Sequence, residues 1–309
     1  MAEVCPISVV ISTLDRPDAL AACLEGVLAQ APAPFEVVVV DQSAGPATRE
    51  LVERTAGGPT ELVYVKHRGR GLGASQNTAV AVARGDIVAV IDDDCVPGGG
   101  WLRALRRAFA EGEDRVLVAG RVLPLGPARP GLYPVSSRTS TRPASFAGRV
   151  APWHVGSGNN FAVRRSAFLA VDGCDERLGP GSPGRGGVDM DLFYRLLRAG
   201  GRASYDPAAV VYHEQKPLDE RLARRPLYGY GTGACFALWA RQRDAAAPWL
   251  LIRWMGWRGA RLALAAVRGN WTLAREESLM LASTIAGLGY GLSAPARPPG
   301  HLHAPPSES

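Results

Sequence analysis

Three aspartates in a row, Asp92, Asp93 and Asp94, close the apolar run IVAVI. Adjacent like charges repel, and a buried carboxylate without a partner is costly. A chain that sets three of them at the end of a buried strand needs positive charge nearby, and a hard divalent cation, which prefers oxygen ligands, would supply it. Three further segments place polar groups at the ends of predicted elements. GSGNNFAVRRSAF (156–168) sets Asn159 and Asn160 ahead of a predicted helix, and GVDMDLFYRLLRAGG (187–201) opens a helix with Asp189 and Asp191. YDPAAVVYHE (205–214) reads as a strand ending at His213. Each has a plain structural explanation: Asp189 as a helix cap, Asp191 as a first-turn carboxylate favoured by the helix dipole, the asparagines as turn formers. A carboxylate at a helix start can equally take a proton from an alcohol held within reach. The turn RGRGLGAS (68–75) matches neither GxGxxG nor GxxxxGK[ST], so neither common nucleotide loop is present there.

The elements that must position these residues are legible in the first hundred positions. ISVVIST (7–13), EVVVVD (36–41), ELVYVK (61–66) and DIVAVID (86–92) read as strands, with helical patterns DALAACLEGVLAQ, 46–54 and ASQNTAVAVA between them. Continuous Val/Ile strands alternating with helices predict an α/β, mostly parallel sheet covered on both faces. Right-handed crossovers then gather the strand C-termini at one edge, which is where such sheets bind ligands. Thr13, Asp15, Asp41 and the aspartate triplet all fall at that edge. Residues 121–155 are rich in Pro, Ser and Arg and read as a mobile surface segment. The expected organisation is a catalytic domain over 1–222, a helical region over 223–290 and a disordered Pro-rich tail over 291–309.

Composition narrows the classes. With 309 residues, 47% hydrophobic and 21% charged, the chain can bury a large core and is not disordered. A net charge of +6, carried almost wholly by Arg, is too small to argue for nucleic acid. Five scattered cysteines without CxxC spacing suggest free thiols in a reducing compartment. No signal peptide and no unbroken apolar run of about 20 residues is seen, so the expectation is a cytoplasmic protein of a bacterium with a GC-rich genome. WLLIRWMGWRGARLALAAVRG (249–269) interleaves Trp254 and Trp257 with Arg253, Arg258 and Arg261. That mixture suits peripheral contact with the inner face of a membrane, the alternative being a helix packed on the domain with solvated arginines.

In order along the chain, VVISTLDRPDAL, VVVVDQSAG, GLGASQNTAVAVARGDIVAVIDDD, GNNFAVRRSAF, VDGCDERLGPG, GVDMDLFYRL and YDPAAVVYH resemble a family-2 glycosyltransferase of the GT-A fold. The resemblance covers about two thirds of the chain. It implies a Rossmann-like sheet that binds a nucleotide-diphosphate sugar, with Thr13, Asp15 and Arg16 beside the nucleotide and Asp41 facing the base. It implies that Asp92 approaches the ribose and the cation, Asp94 the magnesium or manganese ion, and that Asp93 supports them. His213 matches a position near the metal or diphosphate, and Asn159, Asn160 and Asp191 fall on the sugar and acceptor side. Asp189 aligns with the catalytic base of an inverting enzyme, whose direct displacement needs no covalent intermediate. Val188 replaces the Glu that usually opens this motif, and DQSAGP lacks the further acid many members carry; these leave the acceptor class and the bound base open. The acceptor would be a hydroxyl of a glycan, a lipid-linked or a small molecule, in cell-envelope or secondary-metabolite synthesis. A metal-dependent nucleotidyltransferase and a non-catalytic nucleotide-sugar or glycan binder are the competing classes. The first would carry a basic Gly-rich loop where STLDRPDAL stands, and the second would be expected to lack Asp189.

Overall fold

The computed structural model describes residues 6–297. Strands β1 (Ile7–Thr13), β2 (Glu36–Asp41), β3 (Glu61–Lys66) and β4 (Ile87–Asp92) form where the Val/Ile runs lie. Between them run α1 (Pro17–Leu28), α2 (Ala47–Thr55) and α3 (Leu72–Val82). These four strands are parallel and side by side in the order β3-β2-β1-β4. Strand periodicity splits their side chains between two cores. Val9, Ile11, Val37 and Ile91 pack with Leu20, Leu24, Trp101 and Leu105 on one face. Val10, Val38, Val40 and Val90 pack with Val80, Leu192 and Trp239 on the other. Cys23, Cys95, Cys174 and Cys235 are buried free thiols, and Cys5 lies outside the described residues.

Beyond β4 the sheet becomes mixed. The elements that follow are β5 (Cys95–Pro97), α4 (Trp101–Ala110), β6 (Arg115–Pro124), β7 (Leu132–Tyr133), β8 (Ala144–Ala147), β9 (Asn160–Arg164), α5 (Arg165–Ala170), α6 (Val188–Arg198) and β10 (Arg202–His213). Strand β9 inserts between β4 and β6, antiparallel to both, where the sequence reading has only a lead into a helix. The 121–155 segment is also more ordered than its composition suggests. Arg138 exchanges backbone hydrogen bonds with Val122, and β8 pairs with the start of β10. Its prolines mark bends between paired pieces, since Pro is excluded only from the positions that must donate.

β11 (Lys216–Pro217) leads into three long helices, α7 (Leu218–Arg241), α8 (Ala246–Val267) and α9 (Trp271–Ser293). The expected boundary at 222 falls inside α7, and Phe236, Trp239 and Trp254 belong to the same core as the sheet. No domain boundary is therefore visible there. α7 and α9 approach so closely that a Cβ on Gly233 would strike the Thr284 carbonyl, and one on Gly287 the Tyr230 carbonyl. The expected tail overlaps the end of α9, and its residues from 298 onward lie outside the described chain.

One buried charge ties the far edge of the sheet. Glu36 is fully buried and accepts from Ser8 Oγ (2.6 Å), Arg84 N (2.6 Å) and Arg84 Nε (2.8 Å). Burial alone would raise its pKa, but these donors hold it below the usual value. Its stabilisation is thus present above the unfolded carboxylate pKa and lost as pH falls through the lower folded one. We expect Glu36→Ala to cost about 2–4 kcal/mol in urea unfolding at neutral pH, because it strands buried donors. The difference from wild type should shrink as the pH is lowered through and below the ordinary carboxylate range.

Candidate active site

The C-terminal edge of the sheet gathers the polar residues, and register explains the gathering. β10 pairs antiparallel with β5 so that His213 stands opposite Cys95, next to Asp94. His213 Nε2 lies 3.2 Å from Asp94 Oδ1, and its Nδ1 is 2.9 Å from the Val135 carbonyl. With Nδ1 donating to that carbonyl, Nε2 faces the carboxylate. On the other side Arg16 reaches both Asp93 Oδ1 and Asp94 Oδ2 at 3.2 Å. Thr13 Oγ1 donates to Asp93 Oδ2 at 2.8 Å. The three aspartates are therefore offset partly by the protein's own Arg16 and His213. Asp15 takes a positive φ of 53°. Its N–H donates to Ser43 Oγ (2.7 Å) and its carboxylate accepts from Ala44 N (3.2 Å), which fixes the turn that aims Arg16.

The cluster is divided electrostatically. Burial would raise Asp94, but the hydrogen bond and charge of His213, then Arg16, hold it down at about 2. Burial and the neighbouring Asp94 push Asp92 up to about 7. Burial alone would lower His213, and Asp94 raises it instead. Among the described residues, the Asp92 carboxylate alone of the three has no hydrogen-bond or ion-pair partner, and it sits in a field that penalises its charge. Asp94, Cys95 and His213 bring ligand atoms within 4.8 Å of one another. Burial pushes the Cys95 thiol far above its ordinary pKa, so it stays protonated and is a poor ligand. The remaining two donors, Asp94 and the His213 imidazole, fit a divalent cation, and Asp92, outside that trio, adds negative charge beside it.

Asp189 is brought to the same region by α6. Gly187 precedes that helix with φ 80°, and a Cβ there would meet Cys235 Sγ at 2.8 Å and the Gly231 carbonyl at 2.9 Å. Only glycine allows the sharp entry that lays the first turn against α7. Gly158 gives Asp189 its room: a Cβ at Gly158 would lie 2.9 Å from Asp189 Oδ2. Burial raises the Asp189 pKa, restrained by the backbone N–H groups of Met190, Asp189 itself and Gly158. Its charge is felt at Asp92. A cavity of about 160 Å³ opens beside Asp189, walled by Trp153, Phe193, Tyr228 and Thr232.

Several expected site residues have their polar atoms engaged within the protein. Asp191 is buried; its Oδ2 accepts from Arg195 Nε at 2.7 Å and its Oδ1 from Trp239 Nε1 at 2.8 Å. It anchors α6 to α7. Asn160 is fully buried, accepting from Trp101 Nε1 and donating to the Arg121 and Ala209 carbonyls, all at 2.9 Å. It locks β9 into the sheet. Asp41 is also fully buried, holding Ser43 N (2.8 Å), Tyr64 Oη (2.7 Å) and Lys66 Nζ (3.2 Å). It pins the ends of β2 and β3 together, with both carboxylate oxygens already in use. Asn159 differs from its neighbour: it is 3% exposed, yet neither amide atom has a hydrogen-bond partner.

Residues 8–170, just over half of the chain, match the sequence profile of glycosyl transferase family 2. The chain belongs to that family. Over 223 residues it is 31% identical to the pre-mycofactocin glycosyltransferase of Mycobacterium tuberculosis, covering 69% of this chain and 44% of that protein. Over 185 residues it is 31% identical to the succinoglycan biosynthesis protein ExoM of Rhizobium meliloti, covering 59% and 57%. The chain spans about half the length of these curated relatives. Its fold is GT-A. A mannosyltransferase from Pyrobaculum calidifontis, solved in complex with GDP-Man and Mn2+, superposes with a TM-score of 0.63 at 19% identity over 94% of this chain and 88% of that one. GalNAc-T7, solved with UDP, GalNAc and Mn2+, superposes with a TM-score of 0.53 at 17% identity over 69% and 44%.

The matched residues end before α6 and α7, so of the wall around Asp189 they include Trp153 but not Phe193, Tyr228 or Thr232. Trp153, Tyr228 and Thr232 carry no motif of their own, and the sequence reading passes over them. Tyr64 and Lys66 are easier to find, since alternation along β3 puts both on one face and register sets Lys66 opposite Asp41.

Proposed function

We propose that the protein is an inverting glycosyltransferase, dependent on a divalent cation, that moves a sugar from a nucleotide-diphosphate donor to an acceptor hydroxyl. One observation carries this reading: Asp189, desolvated and set on its glycine-capped helix, lines a cavity within electrostatic reach of Asp92. Desolvation favours the protonated form, which makes the carboxylate a better proton acceptor. The acceptor hydroxyl oxygen attacks the anomeric carbon as the bond from that carbon to the phosphate oxygen breaks. The hydroxyl proton passes to Asp189, and the bond pair leaves with the nucleoside diphosphate. A bound divalent cation would supply charge neutralisation for that leaving group.

Asp92, Asp94 and His213 would hold the cation, with Asp93 and Thr13 keeping the strand end in place and Arg16 adding positive charge. The orphaned Asn159 amide, buried with donor and acceptor unused, suits the hydroxyls of a bound sugar. The manganese in both structural neighbours, with GDP-Man in one and UDP and GalNAc in the other, supports a donor and cation of these kinds. The aromatic residues Trp153, Phe193 and Tyr228 that line the cavity suit the apolar face of a sugar ring or another largely apolar acceptor.

The test is thermal unfolding against GDP, UDP and their sugars, with and without manganese. We expect one nucleotide series to raise the melting temperature only with the metal, by an amount worth about 2.7 kcal/mol at a hundredfold excess over Kd. No stabilisation by any nucleotide, in folded protein with manganese present, would sink the donor assignment.

A further inference from the structure

The exposed side of α8 is apolar along its length, interrupted by a single charge at Arg253. Trp249, Ile252, Trp257, Ala260, Leu264 and Val267 all stand out to solvent, with Ile252 69% and Val267 86% exposed. Trp271, just past the helix, is 71% exposed. A stripe of this kind running along a helix of 22 residues, about 33 Å, is too long and continuous to be scattered surface hydrophobicity. These are mostly not the residues the sequence pattern points to. Trp254 is buried against Trp153 at 5.3 Å between ring centroids, and Arg258 and Arg261 bind the buried Glu277 at 2.9 and 2.7 Å.

Charge identifies what covers the stripe. α8 contains no acidic residue. Between residues 242 and 297 the chain has seven arginines and three acids, and all three acids are already paired, Asp244 with Arg198, Glu276 with Arg221 and Arg225, Glu277 with Arg258 and Arg261. Arg243, Arg253, Arg268 and Arg275 are exposed, and none of them pairs with an acid among the described residues. Arg253 lies over the ring of exposed Trp249 at 4.6 Å, which sets a cation on the apolar stripe itself. Tryptophan at the start, middle and end of an apolar face with arginine beside it is the composition of a helix lying in a lipid interface. Among the described residues no helix is long and apolar enough to cross a membrane, so the element would lie on the surface.

We propose that the outer face of α8, with Trp271, is a docking surface for an anionic lipid bilayer. The inner face of the same helix reaches the cavity wall, because Trp254 packs on Trp153. Docking would therefore bring the Asp189 cavity close to the bilayer and favour a lipid-linked acceptor. That choice of acceptor rests on the transferase reading above, whereas the surface itself does not.

The test is co-sedimentation of the full chain with vesicles of phosphatidylcholine alone, or with about one third phosphatidylglycerol, read alongside tryptophan emission. We expect binding to the anionic vesicles with a blue shift. Arg253→Glu should lower the partition coefficient about 25-fold, two charge units at roughly fivefold each. Trp249→Ser with Ile252→Ser should lower it at least about tenfold by removing apolar insertion. All three positions are exposed, so melting temperatures should match wild type and show that the variants fold. The proposal is overturned if folded wild type ignores anionic vesicles, binds both vesicle types equally, or binds as well with either variant. It is also overturned if the chain self-associates without lipid and the same substitutions abolish that, which would assign the face to a second copy. None of these readouts depends on turnover, so their failure leaves the role of Asp189 standing.

Discussion

Asp189→Asn should lower the turnover of glycosyl transfer by about 10²–10⁴-fold, the range a positioned general base contributes. The substitution keeps the size of the side chain, so the contact with Gly158 and the start of α6 should survive. It removes the proton-accepting oxygen pair and replaces it with an amide that cannot take the hydroxyl proton. Nucleotide binding, proposed to draw on Asp92, Asp94 and Arg16, should stay within a few fold of wild type. The decisive comparison is single-turnover transfer beside the nucleotide-dependent melting shift in the same protein. Unchanged turnover would place the base elsewhere. Loss of both signals together would mean that the residue holds the site's shape and not the reaction.

Asp94→Ala should have the second large effect, on both binding and chemistry. Asp94 is the shared partner of Arg16 and His213, so its loss leaves Arg16 with Asp93 alone, takes the carboxylate from His213 and removes one proposed ligand. Several kcal/mol of charge neutralisation at the leaving group corresponds to about 10³-fold in rate. We expect the manganese-dependent melting shift to vanish and transfer to fall by about that factor. Asp94→Asn keeps a hydrogen-bond acceptor for His213 and should fold at least as well as the alanine variant, which separates ligand loss from collapse of the cluster. Removing metal from wild type with a chelator should give the same loss, reversed by adding manganese or magnesium. Activity that survives a chelator would overturn metal dependence and leave Arg16 and His213 as the groups facing the diphosphate.

The parallel half of the sheet, and the edge where its polar residues collect, can be read from the chain alone. Both depend on local patterns: apolar runs of strand length, helices between them, and crossovers of one hand. Asp92–Asp94, Asp189 and His213 are legible for a different reason, because side chains that cost energy to bury stand out wherever they occur. Periodicity makes part of the remainder readable too. Asp189 and Asp191 are two residues apart on a helix, about 200° around its axis, so only one of them can face the cavity. Asn159 and Asn160 separate only once β9 is in place: Asn160 opens that strand and turns into the sheet packing, while Asn159, just before it, is left without a partner.

How the charges pair needs the folded chain. Arg16 meets Asp93 and Asp94 across 77 and 78 residues, and His213 meets Asp94 across the β5–β10 register. Neither contact has a local signal, because it depends on which strands become neighbours. The same holds for Asp41, whose surroundings are set by Tyr64 and Lys66 on the next strand. The C-terminal helices show the limit most plainly. Composition there announces tryptophan and arginine, but packing chooses which ones face inward: Trp254 goes to the core, Arg258 and Arg261 to Glu277, and Trp249, Ile252, Arg253 and Val267 stay outside. A helix has several faces that could bury apolar area almost equally well, and the one that does so is fixed by the partner it meets.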